Sequence, residues 1–488
     1  MYLGLDLGTS ELKALLLDRE HRLVALARAP LTVSRPAPLW SEQAPAQWWA
    51  ALEAVMASLR ETHPGALAAV RAIGLSGQMH GAVALDANGQ VLRPAILWND
   101  GRSAAQCAEL AACVPRLGAI TGNLAMPGFT APKLLWMRTH EPALFARTAC
   151  VLLPKDWLRF MLSGTRASDM SDASGTLWLD VGARTWSDEM LAACGLTRGQ
   201  MPTLVEGSAV AGHLATGLAD RWGLPAGIPI AGGAGDNAAS AVGMGLIAAG
   251  QGFVSLGTSG VIFISGDRFA PDPARAVHAF CHALPGRWHQ MSVMLSATSA
   301  VDWAAQCFGL GDAPALLAAA TSLDKEGRRR APLFLPYLSG ERSPHNDPGA
   351  LGVLFGLTHA HGPAQIAYAV VEGVSFGLRD GLDTLARPAG DLVLVGGGAR
   401  SDWWAQLLAD VLDVPLALCE GSEAGAAVGA ARLAWLADGG SEAEVCRRPG
   451  MRRRFEPARP PQDALATRHG RFRALYAALQ PSFRTRAS

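Results

Sequence analysis

The tetrapeptide Leu-Gly-Thr-Ser occurs twice, at residues 7–10 and 256–259, each time where one apolar run stops and another resumes. Each copy reads as a tight hairpin. The second half of the chain therefore begins as the first half did. Between the copies, within 228–259, an apolar run ends in Gly232, Gly233 and Gly235, followed by Asp236 and Asn237 and a small-residue helical segment over 238–247. Glycine lets a backbone approach an anion, so that hydroxyl and N–H groups converge on phosphate oxygens. A single Leu-Gly-Thr-Ser could be no more than a favourable hairpin sequence. Two copies, each heading a half, favour a nucleotide phosphate clamp.

At 488 residues the chain is long enough for two domains with cores of their own. Acidic and basic residues balance at 42 each, so net charge gives no reason to expect a nucleic-acid partner. Lysine occurs only at 13, 133, 155 and 325 against abundant arginine, a bias that reads as coding composition and not as a phosphate-binding surface. Asp6 interrupts the first apolar run, and no uninterrupted apolar stretch of about 18 residues exists, so neither a signal peptide nor a membrane span is expected. The eight cysteines show no paired spacing and read as reduced thiols of a cytoplasmic protein.

Strands are expected over 2–7, 12–18, 23–32 and 69–75, with helices near 45–59 and 103–114. A hairpin over 83–97 should turn at Asn88-Gly89. Two polar clusters, Gln78-Met79-His80-Gly81 and Trp98-Asn99-Asp100-Gly101-Arg102, fall at strand ends, where open α/β sheets place their chemistry. His80, placed between two glycines at a strand end, is a candidate ligand contact. Helices follow over 297–308 and 363–385. The strand 392–395 runs into Gly396-Gly397-Gly398 and a helix from Asp402, a usable nucleotide seat although not a dinucleotide fingerprint. The last helices are expected over 423–437 and 463–479, joined by an Arg/Pro-rich surface connection, 447–461.

From residue 1 to about 479 these pieces resemble the FGGY carbohydrate kinases, within the actin-like ATPase superfamily. Two stretches carry the resemblance: 128–140, with Lys133, Trp136 and His140, and 352–372, with Gly352, Gly356, Gln365 and Glu372. Segments 31–43, 77–81, 93–102, 167–176, 278–297 and 334–346 are most similar to the members that act on D-xylulose. The resemblance implies an α/β chain of two ribonuclease-H-like domains, 1–246 binding sugar and 247–488 binding nucleotide, with a cleft between them. It implies ATP-dependent phosphorylation of D-xylulose to D-xylulose 5-phosphate, with Mg²⁺, in xylose catabolism, and it leaves a homodimer open.

Carried over position by position, the resemblance makes Asp236 the catalytic base. Met79, His80, Trp98, Asp100, Arg102 and Asn237 become sugar contacts. Asp6 stands by the metal–phosphate, Thr9, Ser10 and Lys13 near the phosphoryl groups, Gly257 and Thr258 at the γ-phosphate, and Gly397 and Gly398 beside adenosine. The chemistry agrees, because a carboxylate accepting the hydroxyl proton assists attack on the γ-phosphoryl group. Two positions depart from the family pattern: Glu11 follows the first turn where a small residue is usual, and Ala234 replaces a glycine. His278, Cys281 and His282 form no closed zinc set by spacing, and Asp169, Asp172 and Asp180 read as loop residues near the cleft. The alternatives are a kinase for ribulose, gluconate or glycerol, and a nucleotide-driven binding module of the actin-like type.

Overall fold

The computed structural model describes residues 1–421, 425–458 and 462–484. The first sheet comprises β1 (Tyr2–Leu7), β2 (Glu11–Leu17), β3 (Leu23–Pro30), β4 (Ala72–Gly77), β5 (Val210–His213), β6 (Pro229–Ala231) and the short β7 (Ala234–Gly235). Its order is β5-β6-β4-β1-β2-β3, with β7 also paired to β4. β1 is central and buried on both faces, which is why its sequence is an apolar run. β3 lies at the edge and mixes buried with exposed positions.

The second sheet comprises β8 (Gly252–Leu256), β9 (Gly260–Gly266), β10 (His278–Cys281), β11 (Trp288–Met294), β12 (Leu392–Val395), β13 (Leu416–Cys419) and β14 (Met451–Phe455). Its order is β10-β11-β9-β8-β12-β13-β14. The path β3-β2-β1-β4-β6 of the first sheet thus recurs as β11-β9-β8-β12-β13. In each path three antiparallel strands are followed by two parallel ones. The duplicated ribonuclease-H-like architecture that the family resemblance implies is the one the chain adopts.

The layers interlock. Helix Gly425–Ala437, from the end of the chain, lies on β1 and β4 of the first sheet and crosses helix Asp236–Gly243. The crossing is so close that a Cβ on Gly429 would collide with the Ala239 carbonyl, which explains the small-residue run there. At the opposite end, the Cys281 N–H donates to the Ser174 hydroxyl (3.0 Å) and the Trp288 indole to the Val181 carbonyl (2.8 Å). One apolar core runs through Leu134 and Trp178 of the first half and Phe263 and Phe280 of the second.

Two expectations are corrected. The turn at Asn88-Gly89 is present, with Asp86 Oδ1 accepting the N–H groups of Asn88 and Gln90, both at 2.9 Å. The two arms meet across it, with Leu85 bridged to Val91 and the Leu92 N–H donating to the Ala84 carbonyl (2.9 Å), but their longer ladders are made elsewhere: Val83–Leu85 with Cys150–Leu152, and Ala95–Ile96 with Glu42–Gln43. Pro94 has no N–H to extend a hairpin ladder. The Arg-rich connection contains strand β14, whose exposed arginines protect a sheet edge. Residues 459–461 of that connection, and the expected helix start at Glu423, lie outside the described residues. No helix among the described residues is long and apolar enough to cross a membrane.

Candidate active site

Strand register assembles the centre of the site. Asp6 pairs with Ser76, Ala234 also pairs with Ser76, and Gly235 pairs with Gly77. Asp6 and Asp236 therefore emerge together at the carboxyl ends of β1 and β7, on either side of β4. The Ser76 hydroxyl donates to Asp6 Oδ1 (3.0 Å), and Lys13, opposite Asp6 in the β1–β2 ladder, holds its Nζ 3.8 Å from Oδ2. Burial pushes the Asp6 carboxyl up, and Lys13 opposes that shift.

Asp236 opens helix Asp236–Gly243. Its Oδ1 accepts both the N–H (2.7 Å) and the Nδ2–H (2.9 Å) of Asn237. No described residue donates to Oδ2, which stays open to the cleft. Burial, reinforced by the negative charge of Asp6, pushes the Asp236 carboxyl up to about 6. That value suits a group that must be ionised near neutrality and still accept a proton.

Beside it, Met79 is buried against Gly235. His80 follows in a left-handed backbone conformation (φ 68°) that turns its ring over Gly175, where no side chain could fit. Its Nδ1 lies 2.7 Å from the Gly175 carbonyl, so Nδ1 carries the hydrogen and Nε2 is a bare acceptor. Burial lowers its pKa to about 3, keeping the ring neutral. Phe129 packs 4.6 Å from that ring and Phe280 6.2 Å. The fully buried Lys133 fixes the turn by donating to the carbonyls of His80 (2.8 Å) and Gly128 (2.7 Å).

Trp98 is 41% exposed and donates its indole N–H to the Thr9 hydroxyl (3.0 Å). Asp100 and Arg102 do not line the cleft. The Asp100 carboxylate accepts the Ser41 N–H (2.6 Å) and pairs with Arg102 (2.7 Å), whose guanidinium is shut between Glu42 (2.7 Å) and the Trp40 ring (3.7 Å). With side chains 0% and 1% exposed, this pair braces the loop that presents Trp98 and offers nothing to a ligand.

The N–H groups of Thr9 and Ser10 in the first glycine turn, and of Thr258 in the second, donate to no acceptor among the described residues, as a phosphate cradle requires. The second turn is held by Thr298, whose N–H (3.0 Å) and hydroxyl (2.9 Å) both donate to the Gly257 carbonyl. Behind it, Gly398 packs on Leu256, and a cavity of about 510 Å³ opens between Gly397, Gly398, Trp404, Thr298, Asp302 and Leu317. It adjoins the second turn and is roomy enough for a nucleoside.

The two departures are absorbed. Glu11 turns to Lys13 and Arg28, both at 3.2 Å, so its charge is met by two cations. Ala234 sits in β7 with no positive φ. The acidic loop residues are corrected: Asp169 and Asp172 are buried, with Asp156, around Lys155 Nζ at 2.7, 3.2 and 2.5 Å. That lysine fills the only grouping of metal-ligating side chains among the described residues. Asp180 alone lies apart, in a two-residue strand paired with Thr185–Trp186. His278 is paired with Asn123 (2.8 Å), and no zinc set forms among the described residues.

Residues 1–243 match the N-terminal domain of the FGGY family of carbohydrate kinases and residues 252–437 its C-terminal domain. The chain is 55% identical over 442 residues to a xylulose kinase of Escherichia coli (strain K12), with 90% of each chain covered. It is 52% identical over 483 residues to one of Klebsiella pneumoniae, with 98% of each covered. A crystal structure described as a xyloylose kinase from Brucella ovis superposes with a TM-score of 0.95 at 50% identity, over 98% of this chain and 99% of that one.

Proposed function

Because the chain belongs to the FGGY family of carbohydrate kinases, we propose that it transfers the γ-phosphoryl group of ATP to D-xylulose, forming D-xylulose 5-phosphate, with Asp236 as general base. The observation that carries the assignment of the base is the free Oδ2 of Asp236 beside Asp6. The C5 hydroxyl gives its proton to Oδ2 as its oxygen attacks the γ-phosphorus, and ADP leaves.

Residues 1–246 hold the sugar and 247–488 most of the nucleotide. His80 Nε2 accepts a sugar hydroxyl, Met79 and Trp98 shape the walls, and Asn237 holds the base in place. Asp100 and Arg102 act through Trp98. Thr9, Ser10 and Lys13 face the phosphoryl groups from one lobe, and Gly257 and Thr258 face the γ-phosphate from the other. Gly397 and Gly398 border adenosine. Asp6, a buried carboxylate with one oxygen only distantly paired to Lys13, fits a Mg²⁺ ion bound through water, which would offset charge on the phosphates. Cytoplasmic ATP is the co-substrate in this reading.

ADP release measured over a panel of D-xylulose, ribulose, gluconate and glycerol tests the assignment. D-xylulose is expected to give the highest kcat/KM. Preference for another member of the panel would reassign the substrate, and sugar-independent turnover alone would remove the kinase reading.

A further inference from the structure

Arg342 reaches the sugar end of the cleft from the second half of the chain, on the loop after the β-strand Leu333–Leu335. The loop is stitched shut: Glu341 and Asp347 exchange backbone hydrogen bonds (2.9 and 2.8 Å), and the Ser343 N–H donates to the Val293 carbonyl (3.1 Å). The neighbouring Glu341 is turned inward, where its Oε1 accepts the N–H groups of Leu295 (3.0 Å) and Arg342 itself (2.7 Å). The Arg342 guanidinium forms no ion pair with any described carboxylate.

Its one side-chain partner is a neutral ring. Asn123 donates Nδ2–H to the carbonyls of Thr121 (2.7 Å) and Ala279 (3.1 Å), so Asn123 Oδ1 is an acceptor. His278 Nδ1, 2.8 Å away, therefore carries the hydrogen, and His278 Nε2 is left to accept from Arg342 Nη1 at 3.4 Å. This chain of bonds fixes the guanidinium and uses one of its N–H groups. The His278 and His80 rings both pack on Phe129, with centroids at 5.7 and 4.6 Å, and the Arg342 charge bears on both histidines. His80 supplies only an acceptor there and Arg342 only donors.

We propose that Arg342 donates to the carbonyl oxygen of the open-chain sugar and thereby selects ketoses over the corresponding polyols. This rests on the sugar-kinase reading above. A carbonyl can only accept, so a donor-only guanidinium suits it fully. A C2 hydroxyl placed there must turn its own hydrogen away from the cation and find another acceptor. With the C5 hydroxyl at Asp236, the carbonyl end of a pentulose is the part that reaches beyond His80.

The test compares Arg342→Met and Arg342→Lys with wild type in kcat/KM for D-xylulose and for D-arabitol, with ATP KM as control and thermal melting to verify folding. Arg342→Met is expected to lose about 10- to 100-fold on D-xylulose, the scale of one lost charge-assisted hydrogen bond. The xylulose-to-arabitol ratio should fall at least about tenfold, with ATP KM unchanged. Arg342→Lys, which keeps the charge without the fork, should fall between. Equal losses on both sugars, or no loss on either, would overturn the proposal. Failure of wild type to phosphorylate D-xylulose would instead overturn the underlying assignment. If Arg342→Met does not fold, Arg342→Lys alone decides, by whether the ratio falls.

Discussion

The Trp98 indole N–H donates to the Thr9 hydroxyl at 3.0 Å, and that hydroxyl in turn donates to Gln78 Oε1 at 3.2 Å. One short chain of bonds therefore joins the Trp98 loop, the first Gly-Thr-Ser turn and the strand end that carries Met79 and His80.

Trp98→Phe keeps the aromatic wall and removes only the N–H. The bond is partly exposed, so its loss is expected to cost about 0.5–1.5 kcal/mol, or about 2- to 10-fold in kcat/KM for D-xylulose. The ratio of sugar-independent to sugar-dependent ATP turnover should rise, because the turn and the sugar loop are uncoupled. Steady-state kinetics with and without sugar measure both. Unchanged values would make the bond incidental.

His80→Asn removes the imidazole while tolerating the left-handed backbone at that position. The sugar KM should rise at least about tenfold with the ATP KM nearly constant, since Nε2 is lost and the phosphate turns are untouched. Because the wild-type ring titrates at about 3, it contributes no pH dependence to sugar binding between pH 5 and 8. An equal rise in both KM values would show that the residue only supports the fold.

The duplicated turns and Asp236 were legible in the sequence because each is a local signal: glycines and hydroxyls breaking apolar runs, with a carboxylate following. Asp100 and Arg102 show the limit of such signals. A charged cluster at a strand end looks the same whether it faces a cleft or a wall, and here Trp40 and Glu42, far upstream, close over it. Phe129, Phe280 and Arg342 escaped notice for the same reason, since three distant segments bring them together. Lysine scarcity carries more than coding composition. Of four lysines, Lys13 faces Asp6, Lys133 pins the His80 turn and Lys155 neutralises a buried acidic cluster. In an arginine-rich chain, these three lysines occupy sites where a compact cation is needed, whereas Lys325 is exposed.

The two Gly-Thr-Ser turns belong to different sheets, and in the proposed reaction both grip the γ-phosphate, which requires the cleft to shut. Without sugar, water reaches Asp236 Oδ2, and slow ATP hydrolysis is expected. Small-angle scattering should show a smaller radius of gyration when D-xylulose and a non-hydrolysable ATP analogue are added together. The core shared by Trp178 and Phe280 stays packed, which limits the change to a hinge motion. An unchanged radius would rule out gating by closure.

The Asp236 carboxyl stands at about 6 in the folded chain against 3.8 when unperturbed. The proposed base role needs the ionised form, so kcat/KM should rise with pH through about 6. Stability moves the opposite way. Between about pH 4 and 6 the folded state binds the extra proton, so this group's contribution is fully present below 3.8 and lost as pH rises past 6. Asp236→Asn lacks that loss and should be more stable than wild type by up to about 3 kcal/mol at pH 8, the difference vanishing near pH 4. Denaturant melts at the two pH values decide it, and equal stabilities at pH 8 would mean the carboxylate is not strained.

In the proposed reaction Asp236 takes the proton of the sugar hydroxyl. Turnover and ATP affinity of Asp236→Asn, measured side by side with saturating D-xylulose, test it most directly. The amide preserves shape and the neighbouring phosphate turns but cannot accept the proton. With the proton acceptor gone, kcat should fall at least about 10²-fold while the dissociation constant for ATP stays close to wild type. A variant that binds ATP normally and phosphorylates D-xylulose at near wild-type kcat would contradict it.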